Sequence, residues 1–174
     1  TPDPRARRAL ATADVTLVLD TSEANRVAPL MDWLDESRTF VVDHHPPGPT
    51  VVGRGGVQDP GAAATGELVY DMISLSGDRW SPLTALGAYV AIVSDTGSFR
   101  FSNTTPRAHA MAAQLLAAGV DPEEMYRRIY ASVSPGRLAL LRDALSTLEV
   151  DRDYGIAWIS VPADALDRYH VSSE

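Results

Sequence analysis

The sequence predicts an α/β fold: a parallel sheet with flanking helices, followed by a helical segment and a short β-pair. Three observations predict it. Two short apolar runs, Val15–Asp20 and Thr39–Asp43, are rich in β-branched residues, and each stops on an Asp, the pattern of buried strands. Between them, Val27, Leu30, Met31 and Leu34 recur at helical spacing with Asp32, Asp35 and Glu36 on the other face. Strand, helix and strand within about 30 residues make a βαβ unit with parallel strands. Further on, Ser81-Pro82, Thr105-Pro106, Asp121-Pro122 and Ser134-Pro135 each place a capping residue before a proline suited to the first helical position.

The remaining elements follow in order. After His45, the cluster Pro46-Pro47-Gly48-Pro49 excludes regular structure. Thr50, Val51 and Val52 read as a further short strand, and Gly53-Arg54-Gly55-Gly56 as a loop. Gly61–Glu67 opens a helix running to about Ser76, with Leu68, Val69, Met72, Ile73 and Leu75 apolar. Ser81-Pro82 starts a strongly apolar helix that ends around Asp95-Thr96-Gly97, and its Leu83–Val93 face is core rather than a cofactor site. Thr105-Pro106 starts a helix through Leu116 and Ala117, closed by Gly119. The next runs from Asp121-Pro122 to Tyr130, with Glu123 and Glu124 favourably placed in its first turn. Ser134-Pro135 starts a helix to Leu148. Leu148–Val150 and Ile156–Val161 flank Asp153-Tyr154-Gly155 as a hairpin or strand pair, and a last short helix covers Pro162–Tyr169.

Composition narrows the function. With 45% hydrophobic and 22% charged residues over 174 positions, the chain is globular and not disordered. It has no cysteine, which excludes a disulfide framework, a thiolate zinc site, an iron–sulfur cluster and a cysteine nucleophile. Any metal must therefore be held by His and carboxylates. The formal charge of −8 argues against duplex DNA as a partner, because a duplex-binding surface carries a basic stripe. A polyanionic substrate remains compatible, since bound divalent cations invert the local field. All 15 basic residues are Arg, so there is no lysine nucleophile or Schiff base. No apolar stretch approaches the ~18–20 residues of a membrane span, and no export signal is visible. A cytoplasmic protein without a membrane partner is expected. The opening Thr-Pro and the polar end at 171–174 read as a segment of something longer.

The chemistry-bearing residues cluster at element ends. Asp20, Asp43 and Asp95 each close an apolar element where a loop begins, and open parallel sheets bind ligands at the carboxyl ends of their strands. Adjacent pairing of the first two strands puts Asp20 and Asp43 about one strand spacing (~5 Å) apart. Two carboxylates that close repel, and one stays protonated unless a cation lies between them. His44 and His45 add imidazole to the donor set. Mixed imidazole and carboxylate ligation suits Mn²⁺, Fe²⁺, Co²⁺ or Zn²⁺ better than Mg²⁺ or Ca²⁺. One Asp at a strand end is explained by a turn or a cap. The coincidence of Asp20, Asp43-His44-His45 and Asp95 points to a metal site.

Three ordered motifs also carry a resemblance. Asp43-His44-His45 follows a buried strand, Asp20-Thr21-Ser22 lies 23 residues upstream, and Ser94-Asp95-Thr96-Gly97-Ser98-Phe99 lies downstream. Together they resemble the DHH phosphoesterase superfamily over nearly the whole chain. The fuller stretch Asp95-Thr-Gly-Ser-Phe-Arg-Phe-Ser-Asn-Thr-Thr-Pro106 is similar to its oligoribonuclease and 3′-phosphoadenosine 5′-phosphate phosphatase branch, which also includes cyclic- and linear-dinucleotide phosphodiesterases. The resemblance implies a catalytic domain over 1–170, with 171–174 the start of an interdomain linker. It implies Asp20 bridging two Mn²⁺ ions, with Mg²⁺, Co²⁺ or Zn²⁺ as alternatives. His44 and Asp95 complete the shell of the second ion. Asp43 orients an imidazole from behind the ligands, and His45 faces the substrate or its leaving group. Such an ion pair lowers the pKa of a bridging water and clamps both oxygens of an in-line displacement at phosphorus. The family's first motif, His-x-x-x-Asp-x-Asp, has no match in Thr1–Asp14, and Asp3 in Thr-Pro-Asp-Pro is no substitute for it. The family's Gly-Gly-Gly-His motif is also absent. The resemblance thus implies a fragment of the catalytic domain that turns over poorly alone.

The expected activity is Mn²⁺-dependent hydrolysis of short RNA, dinucleotides or mononucleotide phosphates, with a homodimer left open. Two alternatives stand beside it: a manganese inorganic pyrophosphatase-like hydrolase sharing the Asp-His-His motif, and a non-catalytic nucleotide- or metal-binding module. Arg100, just past Asp95, is a candidate phosphate contact, against a surface or ion-pair role. Gly61–Glu67 offers free N–H groups at a helix start, although close packing of its small residues explains them as well. Thr104 and Thr105 read as caps, His109 as chemically idle, and His170 has no evident role.

Overall fold

In the computed structural model, which describes residues 3–130 and 133–171, the first apolar run forms β1 (Thr16–Leu19) and the second forms β2 (Thr39–Asp43). They pair in parallel with Leu19 opposite Val42, and Asp20 N–H donates to Val42 O at 3.0 Å, carrying the ladder one residue further. β2 is the central strand, with Thr39, Val41, Val42 and Asp43 buried. On its other side lies β3 (Gly56–Gln58), also parallel, with Asp43 opposite Gln58. The glycines that read as a loop are what admit this strand. Gly56 has φ +154°, and a Cβ there would stand 1.8 Å from Val41 O, an approach open only to glycine. The strand expected at Thr50–Val52 is reduced to an isolated antiparallel bridge between Val51 and Glu23.

The crossover between β1 and β2 is not the α-helix that its spacing predicts. Two 3-10 segments stand there, Ala28–Trp33 and Glu36–Arg38. Pro29 lies in the first turn, and Asp35 Oδ1 accepts from the Ser37 N–H at 3.0 Å and from its hydroxyl at 2.6 Å. That local bond starts a new turn and ends the first run, the usual competition of Asp with helix. A helix that the sequence did not announce, α1 (Pro4–Thr12), precedes β1. Asp3 caps it, Oδ1 accepting from Arg5 N–H at 2.8 Å. None of its residues is buried, so it has no apolar stripe from which its period could be read. It is held from outside by Arg38 Nη1 on Ala13 O (2.7 Å) and by Arg7 over the Trp33 ring (5.7 Å).

Three helices complete the first unit, Thr1–Pro122. These are α2 (Thr65–Ser76), α3 (Pro82–Asp95) and α4 (Pro106–Ala117). α2 begins after the Gly61–Ala64 stretch expected to open it and ends on Gly77 in the left-handed region (φ +75°). Ser81 caps α3 through Thr84 N–H, and Thr105 caps α4 through Ala108 N–H, both at 3.1 Å. α2 and α3 meet closely: a Cβ on Gly66 would lie 2.8 Å from Ala91 Cβ and 2.9 Å from Ala88 O. Ile92, Leu115, Ala85, Ala88 and Ala108 are buried in this layer. Each fully buried large aliphatic contributes about 1.5–3 kcal/mol.

The second unit, Glu123–Glu174, takes in most of α5 (Pro122–Ile129), then α6 (Pro135–Ser146), the antiparallel pair β4 (Glu149–Asp151) and β5 (Ile156–Trp158), and α7 (Ala165–Arg168). Ser134 caps α6 through Arg137 N–H at 3.2 Å. The linker start expected at 171–174 falls, beyond Val171, outside the described residues. Among those residues no helix is long and apolar enough to cross a membrane.

Candidate metal centre

The parallel register places Asp20 and Asp43 side by side at the carboxyl rim of the sheet, and the C-terminal end of α3 brings Asp95 to the same rim. Asp20 ends β1 in the left-handed region, φ +66°. Outside glycine, Asp is among the residues that tolerate this conformation best, still at a cost on the order of 1–3 kcal/mol. Its Oδ1 accepts from the Thr65 hydroxyl at 2.7 Å, so the first residue of α2 fixes the carboxylate of β1.

His44 is the hub. Its Nδ1 lies 3.3 Å from Ala62 O. A carbonyl only accepts, so Nδ1 carries the proton and Nε2 presents a lone pair. That Nε2 stands 3.7 Å from Asp20 Oδ1 and 3.5 Å from Asp95 Oδ2. Both separations exceed good hydrogen-bond lengths. They approach the spacing of donors that share one cation at about 2.0–2.2 Å each, which leaves the donors roughly 3–3.5 Å apart. Ligand atoms of Asp20, His44 and His45 also lie within 4.8 Å of one another.

The charges agree with that geometry. Burial pushes the Asp95 carboxyl up, the Asp20 charge pushes it further, and the two imidazoles oppose the shift. This is the repulsion that a cation between the two carboxylates relieves. The donor set of oxygen and imidazole therefore fits a divalent ion.

Asp43 sits behind this group, with no exposed surface. Its Oδ1 accepts from the His45 backbone N–H at 3.0 Å and from His45 Nδ1 at 2.7 Å. Burial alone would raise its pKa, but these two bonds, together with the nearby Ser22 hydroxyl, hold it below the usual carboxylate value. Oδ2 is buried with no partner at hydrogen-bond geometry. Asp43 thus fixes the tautomer and direction of His45, whose side chain is 42% exposed with Nε2 outermost from that bond.

Four positions that the sequence did not single out support these residues. Thr65 holds Asp20, and the Ala62 carbonyl holds His44. Asn103 Nδ2 donates to Asp95 O at 3.0 Å and to Ala63 O at 3.1 Å, tying the end of α3 to the stretch before α2. Gln58 Nε2 donates to Ser22 Oγ at 2.7 Å and to His45 O at 3.2 Å. The Asn-Thr-Thr-Pro run after Asp95 and the Gly61–Glu67 stretch stood out in the sequence for other reasons, and the contacts themselves arise where separate segments meet. Arg100 does not join the group: it is exposed and turns its Nε onto Gly97 O at 2.7 Å. His109 stacks on Phe99 with ring centroids 4.6 Å apart.

Two cavities adjoin the rim. One of about 470 Å³ runs along Leu19, Gly66, Val69, Ala88 and Ala91, with Asp20, Thr65 and Asp95 also in its wall. The other, of about 210 Å³, lies on the His45 side between the 21–26 loop and 43–46.

No protein-family model matches the chain. It is 36% identical over 151 residues to a bifunctional oligoribonuclease and PAP phosphatase, NrnA, of Thermus thermophilus, across 86% of this chain and 45% of that one. It is 30% identical to the A-adding tRNA nucleotidyltransferase of Aquifex aeolicus, across 76% of this chain and 16% of that one. The crystal structure of an exopolyphosphatase-related protein from Bacteroides fragilis superimposes with a TM-score of 0.85 at 27% identity, covering 97% of this chain and 51% of its own. The chain spans about half the length of the Thermus and Bacteroides proteins, and less of the Aquifex one.

Proposed function

The chain belongs to the DHH phosphoesterase family, and on that premise we propose that it supplies the metal-binding rim of a hydrolase acting on short oligoribonucleotides, dinucleotides or nucleotide phosphates. The convergence of Asp20 Oδ1, His44 Nε2 and Asp95 Oδ2 within 3.7 Å of the shared imidazole carries this reading. In it, Asp20, His44 and Asp95 hold Mn²⁺. A divalent cation there supplies positive charge against the phosphoryl oxygens and lowers the pKa of water.

The chain's own residues do the rest. Thr65 and Ala62 hold the ligands in direction, which spares the cost of reorganisation when the substrate arrives. Asp43 keeps His45 in one tautomer with Nε2 available to the substrate or leaving group. The apolar cavity beside Asp20 and Asp95 has the size and lining to take a base or sugar out of water. Arg100 is an added phosphate contact in this reading, once released from Gly97 O. The similarity to a named oligoribonuclease and PAP phosphatase supports the nucleotide class over inorganic pyrophosphate.

The test is hydrolysis of a short RNA and of 3′-phosphoadenosine 5′-phosphate in Mn²⁺ by the chain. Activity that needs Mn²⁺ and falls at least a hundredfold in Asp20→Ala is the expected result. Hydrolysis unaffected by that substitution, or pyrophosphate cleaved in preference to both nucleotides, would contradict the reading.

A further inference from the structure

Two buried polar atoms behind the rim have no part in the contacts described so far. One is Asp43 Oδ2, which meets no partner at hydrogen-bond geometry although Asp43 has no exposed surface. The other is the hydroxyl proton of Ser22, a residue 1% exposed. Gln58 decides where that proton can go. Its Nε2 lies 2.7 Å from Ser22 Oγ and 3.2 Å from His45 O. A carbonyl only accepts, so the amide presents its nitrogen on this side and Ser22 Oγ accepts from it. The hydroxyl keeps its own proton to donate. Among the described residues it donates to nothing at bonding geometry. Ser22 and Asp43 line the same small cavity, and the Ser22 hydroxyl is among the groups that offset burial in holding the Asp43 carboxyl down. Leaving either atom unpaired in the interior costs the desolvation of that group with nothing in return.

We propose that Ser22 donates to Asp43 Oδ2 and that Gln58 fixes this direction, which makes both of them positioning residues for His45. The donors run one way, from Gln58 to Ser22 and from Ser22 to Asp43. With Oδ2 satisfied, Asp43 stays a full acceptor on Oδ1 for His45 Nδ1, and the imidazole is held with Nε2 outward. No proton travels along this chain; it sets an orientation. The backbone holds its members in place. Ser22 O accepts from Val52 N–H at 2.9 Å, Asp43 O accepts from Asp59 N–H at 3.1 Å, and Gln58 stands opposite Asp43 across β2 and β3. The consequence for catalysis rests on the phosphoesterase reading, in which His45 meets the substrate or its leaving group. The direction of the hydrogen bonds does not.

That direction is read in the metal-free chain by long-range ¹H–¹⁵N NMR of the His45 ring, at a pH where the imidazole is neutral. The wild type should show the Nδ1–H tautomer alone, with that proton slow to exchange. Ser22→Ala should admit the other tautomer and speed exchange of the Nδ1 proton about tenfold, the size expected for loss of a supporting bond. Ser22→Thr, which keeps the hydroxyl, should restore the wild-type pattern. Gln58→Glu should act like Ser22→Ala, because a carboxylate there draws the Ser22 proton away from Asp43. Gln58 is only partly buried, so this variant decides the matter if Ser22→Ala fails to fold. A His45 ring that is unchanged in Ser22→Ala, or unchanged in Gln58→Glu, overturns the proposal. Hydrolysis of 3′-phosphoadenosine 5′-phosphate in Mn²⁺ gives the second measurement. Ser22→Ala should lower kcat about tenfold at unchanged KM and unchanged Mn²⁺ affinity. A loss carried by weaker Mn²⁺ binding overturns the assignment to His45. A wild type that hydrolyses nothing counts against the phosphoesterase reading, and the NMR comparison still decides the hydrogen bonds.

Discussion

At the scale of single residues, the candidate site depends on groups that direct its donor side chains as much as on those side chains. Thr65 is the clearest case, because one hydroxyl at 2.7 Å fixes a carboxylate that stands in a strained backbone conformation. Thr65→Val keeps the shape and removes the bond. It should weaken Mn²⁺ binding by roughly tenfold, the usual size of such an effect, with little change in folding, as titration calorimetry would record; unchanged affinity would show that the Thr65 hydroxyl does not direct a metal ligand. This layer explains what the sequence could and could not disclose. The gathering of Asp20, Asp43, His44 and Asp95 at one rim was legible because carboxylate and imidazole residues stood at the ends of apolar runs, where a parallel sheet collects them. Thr65, Gln58, Asn103 and the Ala62 carbonyl are ordinary residue types whose partners lie far along the chain. Their contacts exist only once β3 and α2 have docked, and no local pattern encodes them.

Among the elements, the sheet rests on a glycine. Gly56 lets β3 approach β2, where a Cβ would run into Val41 O. Gly56→Ala should therefore cost more than about 2 kcal/mol, the range of backbone-incompatible substitutions, and lower the urea midpoint accordingly; a midpoint within error of wild type would mean that the two strands can part without loss. The same glycines hid the strand, since Gly-rich stretches read as turns. The crossover was misread for the opposite reason: its apolar period is helical, but Pro29 and the Asp35–Ser37 bond break it into 3-10 turns. The prolines that open α3, α4, α5 and α6 follow capping residues in sequence, and those helices start where the sequence places them.

Between α2 and α4 stands Glu67, 1% exposed, with Oε1 unpartnered and Oε2 3.9 Å from Arg107 Nε. Burial raises its pKa, and the Arg107 charge only partly opposes this. The folded state thus holds the Glu67 proton more tightly than the unfolded chain. Its favourable contribution is complete below the ordinary value of 4.5 and is lost as pH rises through the raised one. Glu67→Gln should accordingly gain stability over wild type at pH 7 and lose that advantage near pH 4, as urea unfolding at the two values would show. An advantage independent of pH would place the effect in packing and not in charge.

At the scale of the whole molecule, the chain is acidic, with 23 Asp and Glu against 15 Arg, yet its proposed substrate is a polyanion. The two are compatible only if cations gather where the acids gather, and the fold assembles Asp20, Asp43 and Asp95 at one end of a parallel sheet whose central strand is β2. Long-range steering would otherwise repel the substrate. The sequence relative and the superimposable structure are about twice as long as this chain, which matches roughly half of each. The most direct test is anomalous diffraction at the manganese edge from crystals of the chain grown in Mn²⁺. A manganese peak bounded by Asp20, His44 and Asp95, and missing from His44→Ala crystals, is the expected result. Manganese bound elsewhere, with His44 Nε2 still turned to the two carboxylates and no peak between them, would contradict it.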